Sequence, residues 1–307
     1  MARLAQETGQ RLPLATLFEH PTVEKLAAVL QHARPPAAWS SLVPIKPQGT
    51  KTPLYIVHGA GFNVLIFNAL SKQVAADQPV YGLQAKGLDG IEEPSESVED
   101  MAAHYVAAIT AANPHGPYAL AGYSYGGIVA FEMARQLTAA GKQVNFLGVF
   151  DTYAERSDYY DPWLRKYLKR STSLIKRLLY SLVVLKNNPR EAIRLKMQSL
   201  RRATIERLKY SPAEQYERIN GHSHKLGLMN ALAQRKFRLQ PQDIAVHVFR
   251  SKERLYYVED FTHLGWKEFA LAGVKTYDLP GNHFHMFAPP HDAECAQILQ
   301  AALDQYA

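Results

Sequence analysis

Apolar and polar positions follow two rhythms along this chain. Short apolar runs bounded by turn residues, "PLYIVHG", "PVYGLQA", "PYALAG" and "VNFLGVFD", read as buried strands. Between them, "NVLIFNALSKQV", "SVEDMAAHYVAAITAA" and "GGIVAFEMARQLTAAG" carry apolar residues at helical spacing. The second of these opens at Ser97, with Asp100 three residues on as in a capping box, and the third stops at Gly141. This alternation from Leu42 onward predicts an α/β fold: a mostly parallel sheet covered by helices on both faces. The rhythm breaks after Asp151. Residues from about 158 to 239 hold no convincing strand and read as helices, an insertion expected between the sixth and seventh strands, where a lid commonly sits. "IAVHVFR" and "GVKTYDL" restore the alternation, and a helix after Pro290 closes the chain.

The start of the chain follows a different pattern. Residues 11–31 form a small unit in which Thr22 caps a helix with Val23, Leu26, Ala27 and Leu30 on one face. The stretch that follows, "HARPPAAWSSLVPIKPQGTKTP", is rich in proline, alanine and serine and reads as a linker.

The strand-to-helix turn at "YALAGYSYGG" carries the first candidate chemistry. Gly122-Tyr123-Ser124-Tyr125-Gly126 is a G-x-S-x-G pattern, and its context makes it a nucleophile elbow with Ser124 as the nucleophile. A serine hydroxyl needs a general base, and the base needs an orienting acid. On this kind of fold the chain order is serine, acid, histidine. Asp151 follows the strand "VNFLGVF", and His283 follows "GVKTYDL" on a loop expected to turn at Pro280 and Gly281. All three fall at the carboxyl edge of the sheet, where ligands gather. Asp161 and His285 are rivals. Asp151 is preferred because Asp161 lies within the insertion, and His283 because it directly follows the Pro-Gly-Asn turn. Two backbone N–H groups should hold the oxyanion: that of Tyr125 and, from the loop "HGAGFN", that of Ala60. His58 in the same loop reads as an anchor.

Composition narrows the class. The single cysteine, Cys295, allows no disulfide framework, and the N-terminus shows no secretory pattern, so a cytoplasmic location is expected. No metal site is expected, because Cys, His and Asp do not cluster at ligand spacing. The net charge of +7 is uneven: residues 165–209 hold fourteen Lys or Arg against Glu191 and Glu206. No recognition motif accompanies this basic stretch, so nucleic acid is not expected as a partner. A solvated helix face is one reading of it, and a membrane-surface helix is a weaker one. Arg165, Lys166, Lys169 and Arg170 would form its basic face, with Arg201 and Arg202 on the second insertion helix. Leu174, Ile175, Leu178, Leu179, Leu182 and Val183 would form an apolar face that either lines an acyl channel or packs on the core.

"LYIVHGAGFNVLIFNALSKQV", "PVYGLQAKGLDG", "YALAGYSYGGIVAFEMARQL", "FLGVFDTY" and "LPGNHFHMF" together resemble the thioesterase domains of non-ribosomal peptide synthetases and polyketide synthases, members of the α/β-hydrolase superfamily. The resemblance covers about residues 43–307, apart from the insertion. It implies a serine thioesterase that accepts an acyl or peptidyl chain from a phosphopantetheine thioester on a carrier domain, with upstream synthase modules as partners. No directly bound cofactor is implied. The roles it carries onto Ser124, Asp151 and His283, with Ala60 and Tyr125 as oxyanion donors, match those reached by spacing. "LPLATLFEHPTVEKLAAVL" resembles the end of a carrier domain, yet no serine precedes Ser40 to hold a phosphopantetheine arm. The expected division is a carrier fragment at 1–34, a linker at 35–42 and the thioesterase domain at 43–307, with a helical lid at about 158–239. Release by hydrolysis and release by cyclisation both remain open. An editing thioesterase acting in trans, a free esterase and a non-catalytic acyl-carrier binding module are the competing functions.

Overall fold

The computed structural model describes residues 39–154, 163–197 and 222–306 except Gly90, Leu195 and Tyr256, together with parts of the first 31 residues. Within its helices, the side chains of residues 163–174 and 222–224 lie outside that description.

Among the described residues, seven strands form one sheet: β1 (Leu42–Lys46), β2 (Leu54–Val57), β3 (Val80–Leu83), β4 (Tyr118–Tyr123), β5 (Val144–Phe150), β6 (Val246–Glu253) and β7 (Val274–Asn282). Their spatial order is β1-β3-β2-β4-β5-β6-β7. Only β1 runs antiparallel, against β3, and the other neighbours pair in parallel. The helices are α1 (Thr16–Glu19), α2 (Val23–Gln31), α3 (Asn68–Gln73), α4 (Val98–Ala112), α5 (Tyr125–Ala139), α6 (Trp163–Asn187), α7 (His222–Lys236) and α8 (Asp292–Leu303).

Alternation along the central strands splits the core into two layers. Tyr55, Val57, Leu120, Leu147 and Val149 face α4 and α5, where they meet Tyr105, Phe131 and Trp266. Leu54, Ile56, Ala119, Ala121 and Phe150 face the other side and meet Phe67, Leu70, Cys295 and Leu299. Each such large side chain, taken fully out of water, contributes about 1.5–3 kcal/mol. Ser97 caps α4 as its spacing predicts, its Oγ accepting from the Asp100 N–H at 3.0 Å.

Three local expectations change. Leu42–Lys46 is not linker but the antiparallel edge strand, a position where Pro44 is tolerated because one side of the strand needs no ladder donor. Strand β7 continues through Pro280 and Gly281 instead of turning there. The insertion falls between β5 and β6, not between a sixth and a seventh strand. The N-terminal segment touches the rest of the chain: Phe18 of α1 packs against the second core layer.

Candidate active site

The carboxyl edge of the sheet collects the candidate residues. Ser124 occupies the turn between β4 and α5 with φ 54° and ψ −121°, a conformation that costs a non-glycine residue about 1–3 kcal/mol. Hydrogen bonds hold it there. Its N–H donates to the Phe150 carbonyl at 2.9 Å, and its carbonyl accepts from the Thr152 hydroxyl at 2.8 Å and the Gly127 N–H at 3.1 Å.

The flanking glycines have steric reasons. A Cβ on Gly122 would stand 2.1 Å from the Gly126 carbonyl oxygen, and one on Gly126 would stand 2.3 Å from the His58 carbonyl oxygen. The elbow therefore presses directly on the loop after β2. Gly126→Ala is expected to destabilise the fold by about 1–3 kcal/mol, the usual cost of overpacking. Thermal unfolding would check it, and an unchanged midpoint would mean that the contact relaxes freely.

Asp151 follows β5 with φ 45°, its N–H bonded to the Phe249 carbonyl at 2.7 Å. Its side chain is only 1% exposed. It accepts from the Ser251 N–H and hydroxyl, both at 3.1 Å, and from His283 Nδ1 at 2.8 Å. Arg254 Nη2 lies 3.4 Å from Oδ1, the oxygen that also accepts from the Ser251 N–H. Burial pushes the Asp151 carboxyl up. The His283 hydrogen bond, the His283 and Arg254 charges and the Ser251 amide outweigh burial and hold it below the usual carboxylate range.

His283 is the first residue after β7. Its imidazole stacks on the Tyr123 ring with centroids 5.0 Å apart, and the Tyr123 hydroxyl donates to the His283 carbonyl. A carboxylate only accepts, so Nδ1 carries the proton in the Asp151 bond, which leaves Nε2 as the nitrogen that can act as the base. His285 instead pairs with Asn282 Oδ1 at 3.1 Å. Asp161, the rival acid, lies outside the described residues.

Ala60 stands exposed in the loop after β2, and its N–H has no protein acceptor among the described residues. The Tyr125 N–H opens α5, where the first amides lack intrahelical partners. Both are available to an oxyanion. His58 is an anchor, as its position indicates. It is fully buried, with Nδ1 donating to the Gly59 carbonyl at 2.7 Å and Nε2 accepting from the Tyr105 hydroxyl at 2.9 Å.

Burial lowers the His58 pKa to about 4, and that of His247 also to about 4. Folded pKa values below the unfolded value mean that the unfolded state binds more protons between about pH 6.5 and 4. Stability should be full above that window and fall as pH drops through it, by roughly 2 kcal/mol per histidine at pH 5. Denaturant midpoints at pH 7 and pH 5 check this, and a flat profile would contradict neutral burial of both rings.

The described insertion helices lie near this edge. A Cβ on Gly227 of α7 would sit 3.6 Å from the Phe62 ring, and the Tyr180 hydroxyl of α6 donates to the Arg254 carbonyl at 3.3 Å. Ile175, Leu178, Leu179, Leu182 and Val183 are each more than half exposed, so this apolar face does not pack on the core. The side chains of Arg165, Lys166, Lys169, Arg170 and Leu174, and all of Arg201 and Arg202, lie outside the described residues. Among the described residues no helix is long and apolar enough to cross a membrane.

Sequence reasoning missed Ser251, Arg254 and the stacking role of Tyr123. Position alone could have flagged the first two, because "SKER" runs across the end of β6 at the same sheet edge as Asp151 and His283.

Residues 52–303 match the thioesterase domain family. Aspulvinone E synthetase melA of Aspergillus terreus is 30% identical over 318 residues, covering 95% of this chain and 32% of that protein. A dimodular nonribosomal peptide synthase of Bacillus subtilis is 39% identical over 153 residues, covering 50% of this chain and 6% of that protein. The chain thus spans about a third or less of these relatives' length. Among solved structures, a four-domain nonribosomal peptide synthetase bound to AMP and glycine superposes with TM-score 0.61 at 22% identity, covering 97% of this chain and 23% of the other. The NocB thioesterase domain, in covalent complex with a fluorophosphonate nocardicin G analog, superposes with TM-score 0.59 at 22% identity, covering 86% of this chain and all of the other. The fold is the α/β-hydrolase fold. The chain belongs to the thioesterase domain family and is a thioesterase related to the release domains of nonribosomal peptide synthetases.

Proposed function

We propose that this domain releases an acyl or peptidyl chain from a phosphopantetheine thioester on a carrier domain, through an acyl-Ser124 intermediate. His283 Nε2 takes the Ser124 hydroxyl proton as Oγ attacks the thioester carbonyl. The carbonyl oxygen becomes an oxyanion facing the Ala60 and Tyr125 N–H groups. The C–S bond then breaks, and His283 returns its proton to the departing thiol. Water, or a nucleophile within the chain itself, attacks the acyl ester with His283 again as base, and Ser124 is regenerated. Asp151 keeps the imidazole in its Nδ1–H tautomer and stabilises the imidazolium that forms at each step.

The observation that carries this reading is the 2.8 Å Asp151–His283 hydrogen bond at the sheet edge where Ser124 is held at φ 54°. Membership of the thioesterase family and the synthetase relatives support a carrier-bound substrate. The apolar face of α6 supports a channel for an acyl chain, and the basic stretch supports docking to an acidic carrier. In the test, a carrier protein loaded with an acyl-phosphopantetheine is mixed with the domain and followed by mass spectrometry. Unloading of the carrier with appearance of free acid or cyclic product is expected. A carrier that stays loaded while small soluble thioesters turn over would move the function to a free thioesterase.

A further inference from the structure

We infer that Arg254 is a positioning residue that sets the basicity of His283 by placing its charge against Asp151. The inference rests on the relay proposed above.

Arg254 follows β6 and is nearly buried, its side chain 7% exposed. Its Nη2 is 3.4 Å from Asp151 Oδ1, yet that nitrogen has no hydrogen-bond partner among the described residues. A pair built only for stability would use the two-pronged guanidinium–carboxylate geometry. Here Ser251 and His283 already occupy the carboxylate, and the arginine contributes charge without a bond. Leaving a buried guanidinium donor unmatched costs free energy, so its retention beside the acid of the relay points to a task there.

The surroundings hold the charge in place. The guanidinium carbon lies 5.9 Å from the Phe261 ring centroid. Tyr180 of α6 stands 5.7 Å from Phe261 and 6.0 Å from Tyr257, and its hydroxyl bonds the Arg254 carbonyl. The other charged groups around the pair have partners of their own. Asp278 of β7 is bound by Arg250 Nε at 2.5 Å, and Lys252 is 3.7 Å from Glu294 of α8. From β4, the Tyr123 phenol faces the pair and is occupied by the His283 carbonyl.

The effect on His283 has a definite sign. A bare Asp151 carboxylate would attract a proton to the imidazole strongly and hold His283 as imidazolium toward neutral pH. Arg254 offsets part of that negative charge, which weakens the carboxylate's hold on an imidazolium and favours the form that accepts the Ser124 proton. Removing the charge should therefore raise the pKa of the imidazole.

The experiment measures kcat/KM against pH for a small soluble thioester, in the wild type, Arg254→Met and Arg254→Lys, because this ratio reports ionisations of the free enzyme. Arg254→Met should move the acid limb up by about one pH unit. Arg254→Lys should bring it back toward the wild-type position, since charge and not fork geometry is required. An unmoved limb with lower activity in Arg254→Met would overturn the inference and leave Arg254 a packing residue. So would a lysine variant that shifts as far as the methionine one. If Arg254→Met does not fold, NMR titration of the His283 ring in Ser124→Ala and in Ser124→Ala/Arg254→Lys replaces it. There, a pKa in the lysine variant displaced by about a unit would count against a charge effect, and a retained pKa would support it. Wild-type turnover that does not depend on Ser124 would instead sink the relay itself, a separate outcome from an unmoved limb.

Discussion

Ser124→Ala is expected to abolish acyl-enzyme formation and thioester turnover. The backbone at this position is held by three hydrogen bonds that involve only main-chain atoms of Ser124, so alanine leaves the elbow in place. What disappears is the single oxygen proposed to become acylated. Residues of such a relay act as a unit, and adding His283→Ala should cost little more than the first change alone. Turnover of a soluble thioester, read by thiol release, checks both variants. Near wild-type turnover in Ser124→Ala would remove the serine from the chemistry, and a large further loss in the double variant would mean that His283 works independently of it.

Asp151→Asn is the second large effect. Asparagine fits the same space and can still accept the Ser251 N–H, which bonds the carboxylate at 3.1 Å. Its amide can donate to the histidine, which favours the tautomer with the proton on Nε2 and leaves no base facing the serine. A drop in kcat of about 10⁴-fold is expected, the scale of the same change in a serine-protease relay. The variant also leaves Arg254 opposite a neutral group, so a loss of stability should accompany the kinetic defect. Steady-state kinetics together with thermal unfolding separate the two. A small kinetic loss here, with a large one at Asp161→Asn, would move the acid into the insertion.

The legible parts of this molecule are those that depend on local order. Strand-to-helix alternation placed Ser124, Asp151 and His283 at one sheet edge because in a parallel sheet every strand ends on the same side. Ser97 and Gly141 marked their helix ends by short-range bonding alone. What stayed hidden depends on contacts distant in sequence. Arg254 meets Asp151 across 103 positions only because β5 and β6 are neighbours in space. Edge strand β1 carries a proline and borrows its order from β3, so its own residues read as linker. Phe18 gives no sign by itself that it packs on the second core layer, because that surface is assembled from β-strands and α8 far downstream. The continuation of β7 through Pro280 and Gly281 was obscured by residues that usually mark turns; Gly281, at φ 72°, sits where a Cβ would stand 2.6 Å from the His291 ring.

The central claim, that Ser124 is the acylated nucleophile of a thioesterase, is tested most directly by labelling with a fluorophosphonate followed by intact-mass measurement and peptide mapping. The account predicts one adduct per chain, on the peptide that contains Ser124, and none in Ser124→Ala. No adduct on the wild type, or an adduct that persists in Ser124→Ala, would contradict it.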